Sequence, residues 1–184
     1  SANRNKRNDG MGVVTKATYD NGVIKVGTGD SGKKLWQPYP EWQGDFARAY
    51  LYMATCYQDY AWVKEGLNSL ETGDYPTLQK WASDLYIKWA KQDPVSDLEA
   101  KRNNIVYSIQ GNRNPFIDFP NLMEYIWGDS ISYEFDPATT VVTKQVVPEN
   151  SMMCIYLASY KDTDGGCIIE TTLHPKEGAE VWER

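Results

Sequence analysis

Two stretches and one histidine hold most of the chemistry this sequence could perform. Arg102 falls on the same helical face as Leu98, Ile105 and Ile109. A guanidinium at a core-facing position must be paired, because desolvating a lone charge is costly. Two readings stay open: an ion pair bridging helices, or an arginine directed at a phosphate or carboxylate ligand. Asp45, Arg48 and Asp118 are the candidate partners in either case. The run from Gln110 to Asp118, with Asn112, Arg113 and Asn114 around Gly111 and Pro115, follows a helix directly. Its amides either satisfy backbone groups of a structural loop or shape one wall of a cleft. The single histidine, His174, leaves little room for His-based catalysis or a His-rich metal site. It precedes Pro175 and reads as an ordinary surface or strand-end residue. Among the three cysteines, Cys56 reads as a small buried apolar residue. Cys154 and Cys167 flank a turn-like Asp162–Gly166; in a hairpin Cys154 would face a residue near Leu173, so register does not favour a disulfide between them.

Positioning these groups requires helices and strands in a definite order. Val13–Tyr19 and Val23–Val26 flank Asp20-Asn21-Gly22, a hairpin signal because Asn-Gly accepts positive φ. Leu35–Trp42, with two prolines and two tryptophans, reads as an ordered extended segment. Phe46, Tyr50, Met53, Ala54 and Tyr57 predict a helix over Asp45–Tyr60 with those residues on one face. Leu78, Trp81, Ala82, Leu85 and Trp89 predict a second over Thr77–Lys91, stopped by Asp93-Pro94. Ser96-Asp97-Leu98-Glu99 reads as a capping box opening a third helix that runs to Gln110, with Gly111 as its stop. A shorter helix spans Asn121–Trp127. Beyond Gly128, Ile131–Phe135, Thr139–Val147, Met152–Tyr160 and Cys167–Leu173 are β-branched or alternating runs between turns. The expected fold class is α+β, with a boundary near 128–129 and a β-rich extension over residues 129–184.

Composition bounds the rest. The 184 residues are 41% hydrophobic and 13% aromatic, enough for a real core. No stretch is long and apolar enough to span a membrane, and no signal peptide is visible. The net charge of −6 argues against a nucleic-acid binder when taken over the whole chain. It is unevenly placed: residues 1–128 hold 15 Lys+Arg and 15 Asp+Glu, and residues 129–184 hold 4 and 10. The entire acidity belongs to the extension.

Several blocks together resemble the bacterial extracellular endonuclease I family. They are Gly44-Asp45-Phe46-Ala47-Arg48-Ala49-Tyr50-Leu51-Tyr52-Met53, then Lys88–Ser96, then Glu99 with Arg102-Asn103, then the Gln110–Asp118 loop and Glu124–Gly128. The resemblance covers about residues 1–128. It implies a secreted or periplasmic, non-specific nuclease with a ββα-metal (His-Me) finger, cleaving DNA and often RNA with one divalent cation, Mg2+ or else Ca2+ or Mn2+. In that family a Glu-His pair supplies a metal ligand and the general base, and a following helix supplies an Asn ligand. Asn3, Asn8 and Gly12 are similar to the spacing of that helix, with Lys6 where an Arg is usual, so Asn3 is the implied metal ligand. The Glu-His pair is expected upstream of residue 1, which leaves no catalytic residue in this chain. Gln37-Pro38 stands where the family has Glu-Pro. Arg48, Arg102, Asn112, Arg113 and Asn114 are the residues expected around the cleft, as active-site support or phosphate contacts.

The expectation is therefore the C-terminal portion of a metal-dependent endonuclease, inactive on plasmid DNA by itself, whose intact parent takes DNA or RNA. The alternative is a non-catalytic binding or structural module of a secreted protein on a degenerate nuclease fold, its extension holding a carbohydrate, a protein or a surface.

Overall fold

The computed structural model describes residues 10–58, 69–71, 78–143, 154–163 and 166–175, the last two stretches by backbone alone. Asn3 and the segments 59–68 and 144–153 lie outside the described residues. The hairpin expected around Asn21 forms, and a third strand joins it. β1 (Lys16–Asp20), β2 (Ile24–Thr28) and β3 (Lys34–Pro38) make an antiparallel sheet in that order. Asn21 Oδ1 accepts from the amides of Val23 and Ile24, at 3.0 and 2.9 Å, while Gly22 takes φ 79°. Gly27 is required where β2 crosses β1, since a Cβ there would meet the Lys16 carbonyl oxygen at 2.1 Å.

The extended segment expected over Leu35–Trp42 is shorter than that. β3 ends at Pro38 and α1 (Pro40–Cys56) begins two residues later. Proline at the first helical position has the right φ and no amide to leave unpaired. α2 (Lys80–Gln92) packs antiparallel-fashion beside α1 through small residues. Ala47, Leu51 and Ala54 meet Ala82, Tyr86 and Ala90 in one buried cluster with Met11, Phe116 and Trp127. α3 (Asp97–Gln110) opens on Ser96, whose Oγ accepts from the Glu99 amide at 3.1 Å, and closes on Gly111 at φ 77°. One helical turn, α4 (Pro115–Asp118), sits inside the amide-rich loop, and α5 (Leu122–Trp127) follows.

The runs 131–135 and 139–143 are turns, not the strands their composition suggests. Aromatic packing overrides β-propensity there. Phe135 sits edge-on between Phe119 and Tyr125, at 5.6 and 5.2 Å between ring centres. Thr143 then ties down, its amide donating to the Asp118 carbonyl at 2.9 Å and its hydroxyl to the Ile117 carbonyl at 2.5 Å. β4 (Cys154–Thr163) and β5 (Gly166–Pro175) form a second antiparallel pair, longer than expected. Its register sets Cys154 opposite Pro175 and Cys167 opposite Asp162, far apart along the ribbon. Sheet, helical layer and second ribbon make an α+β chain.

Candidate functional site: a buried polar seam between three helices

The inward faces of α1 and α3 carry charged residues as well as apolar ones. On α1 the buried residues include Asp45 and Arg48, and on α3 they are Glu99, Ala100 and Asn103. Arg48, not Arg102, is the buried guanidinium: its side chain is 1% exposed, against 52% for Arg102. The stripe Leu98, Ile105, Ile109 faces solvent, so Arg102 does not occupy a core face. Periodicity identified the helix correctly and its inward side incorrectly.

Arg48 spends every donor. Nε and Nη2 grip the two oxygens of Glu99 at 2.9 and 2.5 Å, a bidentate pair across 51 residues of chain. Nη2 also reaches Asp45 Oδ1 at 3.3 Å. Nη1 donates to the carbonyls of Asp93 and Ala90, at 2.8 and 3.3 Å. Those oxygens belong to the end of α2, so the cation both satisfies its orphan acceptors and meets the negative end of its dipole. The approach is close because residue 44 is glycine. Its amide donates to Asp93 Oδ2 at 2.9 Å, and a Cβ there would meet the Asp93 carbonyl oxygen at 2.0 Å.

Glu99 lies at the centre with no exposed surface. Burial pushes its carboxyl above the ordinary carboxylate range; the Arg48 guanidinium pulls the other way and Asp45 adds to the rise. Only half of the capping box survives, since Ser96 bonds forward while the Glu99 side chain serves Arg48 instead of the Ser96 amide. Asp45 is shared, its other oxygen accepting from Arg102 Nη2 at 3.2 Å.

The amide-rich loop completes the seam. Asn103 donates to Asp118 Oδ1 at 3.1 Å and accepts the Asn114 amide at 3.0 Å. Asn114 donates to the Arg48 carbonyl at 3.1 Å and caps α4 by accepting the Phe116 amide at 3.0 Å. Arg113 holds Asp118 bidentately at 2.6 and 2.7 Å, with Nη1 on Asn104 at 2.7 Å, and lies over the Tyr107 ring. Exposed Asn112 reaches the Tyr52 hydroxyl at 2.6 Å. Burial pushes that phenol up to about 12, with Cys56 adding and Asn112 opposing. Cys56 is exposed at the end of α1, not buried.

Of the residues expected around a cleft, Arg48, Arg102 and Asn114 come together with Asp45, Glu99 and Asn103. Arg113 and Asn112 stand beside them through Asp118 and Tyr52. Of the candidate partners Asp45, Arg48 and Asp118, Arg102 meets Asp45, while Asp118 accepts from Arg113 and Asn103 instead. The pivot is Glu99, which the sequence does not single out for this role. Its signal was a first-turn glutamate that also fitted a capping box. Among the described residues, no three His, Cys, Asp or Glu side chains gather as a cation site would require. Asn3 lies outside them.

An α+β scaffold whose helices are bolted by a buried guanidinium–carboxylate pair unites motif blocks from α1, the end of α2, α3 and the loop after it. The family model for Endonuclease I matches residues 1–121, and the chain belongs to that family. It is 42% identical over 94 residues to an extracellular ribonuclease of Bacillus subtilis (strain 168), covering 50% of this chain and 32% of the relative. It is 41% identical over 99 residues to an extracellular ribonuclease of Bacillus amyloliquefaciens, with the same coverages. Endonuclease-1 of Buchnera aphidicola subsp. Baizongia pistaciae is 28% identical over 88 residues, covering 48% and 29%. The chain thus spans about a third of the length of these curated relatives. No solved structure matches it significantly.

Proposed function

We propose that this chain is the helical part of a secreted, metal-dependent nuclease that hydrolyses phosphodiester bonds in DNA or RNA with little sequence preference. What supports this most is that the blocks shared with the Endonuclease I family meet in one hydrogen-bonded seam. The names of the two Bacillus relatives, both extracellular ribonucleases, agree with it. In this role Arg48, Arg113 and Asn114 hold the scaffold, because each is committed to buried or half-buried partners. Arg102 and Asn112, more exposed at the edge of the seam, are the two assigned in this reading to phosphate contact. Asn3 would supply one ligand to a divalent cation, Mg2+ or else Ca2+ or Mn2+, whose chemistry is to stabilise charge developing on the phosphate. His174 lies outside the matched residues and takes no part.

The test is a chimera in which this chain replaces the matched stretch of the Bacillus subtilis extracellular ribonuclease. The chimera should digest plasmid DNA or RNA with Mg2+ and stop on adding EDTA, and the chain alone should digest neither. A folded, inactive chimera overturns the proposal.

A further inference from the structure

The even charge of residues 1–128 hides two halves of opposite sign. Residues 1–39 hold 7 Lys+Arg against 3 Asp+Glu, and residues 40–128 hold 8 against 12. On the helices most cations are already engaged: Arg48, Lys80, Lys91, Arg102 and Arg113 each meet a carboxylate. One end of the sheet is engaged as well, where Asp20 accepts from the Tyr39 hydroxyl at 2.6 Å and lies 3.9 Å from Lys25. The other end differs. The register sets Lys16 of β1 opposite Thr28 of β2, and Thr28 opposite Lys34 of β3. Residues directly opposite share a face, so the two lysines stand two strand spacings apart, about 10 Å, on one side of the sheet. Every residue of β1 is exposed, and so is Lys34. Lys33 adjoins them in the turn before β3, its ammonium 5.8 Å from the centre of the Trp81 ring. Among the described residues, neither Lys16 nor Lys33 is ion-paired. Asp30 is the acid in the turn between β2 and β3, against three lysines.

Ammonium groups gathered on one exposed surface attract a polyanion, and each phosphate they neutralise releases condensed counterions. A lysine supplies this attraction as a point charge, without reading a base edge. We propose that this end of the sheet, with Lys16, Lys33 and Lys34, is a second nucleic-acid contact, which holds the sugar-phosphate backbone of the substrate in addition to Arg102 and Asn112. This rests on the nuclease reading above. It gives little sequence preference a physical basis. The excess of acid on the helical half steers the same backbone towards the sheet.

The experiment compares two triple variants of the full chain that remove the same charge. One carries Lys16→Gln, Lys33→Gln and Lys34→Gln. The other carries Lys80→Gln, Lys88→Gln and Lys101→Gln, on the exposed surfaces of α2 and α3. Fluorescence anisotropy with fluorescein-labelled DNA and RNA oligonucleotides, in EDTA, gives the affinity across a salt series. At about 50 mM salt the sheet variant should bind roughly tenfold more weakly or worse, equally for two unrelated sequences. Its slope of log affinity against log salt should be shallower by about 2 units. The helix variant should keep the wild-type slope and an affinity within about twofold. Lys16→Gln alone, on exposed β1, should remove about one unit of slope, which keeps the test decisive should the triple variant not fold. Equal weakening in the two triple variants overturns the proposal, because net charge alone would then act. So does an unchanged slope in the sheet variant, or a loss confined to one sequence. So does a wild type that binds no oligonucleotide, including one that sediments with phosphatidylserine vesicles instead. Hydrolysis by the chimera is a separate readout: sheet-dependent binding beside an inactive chimera sinks only the reaction, and an active chimera whose salt slope ignores the three lysines sinks only this contact.

Discussion

Arg48 and Arg102 sit one helix apart on the same acidic cluster and differ in what water can do for them. Removing Arg48 leaves Glu99 buried without its cation and strips two carbonyls at the end of α2 of their donor. Arg48→Met should therefore cost about 3–5 kcal/mol, as broken buried pairs do. Arg102→Ala, half exposed, should cost about 0–1 kcal/mol; urea unfolding of the two variants measures the contrast. Glu99 adds a pH signature. Its raised value means that the folded form keeps the proton to higher pH than the unfolded chain does. From the ordinary carboxylate value of 4.5 up to the raised one, the native state binds more protons, so this group's contribution falls as pH rises. The stability of the wild type relative to Glu99→Gln should decrease as pH rises above 4.5. No decrease would mean that Arg48 holds Glu99 ionised throughout.

At the scale of elements, caps and stops were legible because they are local: Ser96, Gly111 and the Asn21-Gly22 turn act within a few residues of themselves. The inward face was legible at α2, where Leu78 just before it and Ala82 and Trp89 within it are buried, and not on α3, where Leu98, Ile105 and Ile109 are exposed. A periodic apolar stripe says that a helix has two sides, and tertiary pairing decides which one is covered. Glu99 finds its cation 51 residues away, a relation that no window along the chain contains. The turns over 131–143 are hidden in the sequence for a similar reason, since the docking of Phe135 depends on Phe119 and Tyr125 being brought together first. The α1–α2 contact is the most sensitive joint. Gly44→Ala puts a methyl into the Asp93 carbonyl and should cost about 3 kcal/mol, the upper end of overpacking penalties. Thermal unfolding of that variant beside Gly32→Ala, where nothing lies within 4 Å, separates crowding from backbone conformation.

For the molecule as a whole, the change in composition after Gly128 does not coincide with the last contact to the helical layer. Phe135, Thr140 and Thr143 all return to α4, α5 or the turn between them. A chain ending at residue 143 should keep a melting temperature close to that of the full chain, and one ending at residue 128 should lose several degrees. Calorimetry of the two truncations decides where the stable unit stops. The acidic residues beyond 143 would then contribute charge without contributing to that melting.

One guanidinium closes α2, neutralises the first turn of α3 and is itself part of α1, so none of these helices can fray without undoing a bond that the other two need. Native-state amide exchange should register this as a single opening. The slowest amides around Leu51, Tyr86 and Ala100 should report one shared free energy. In Arg48→Met that value should split into three, each helix then opening on its own terms.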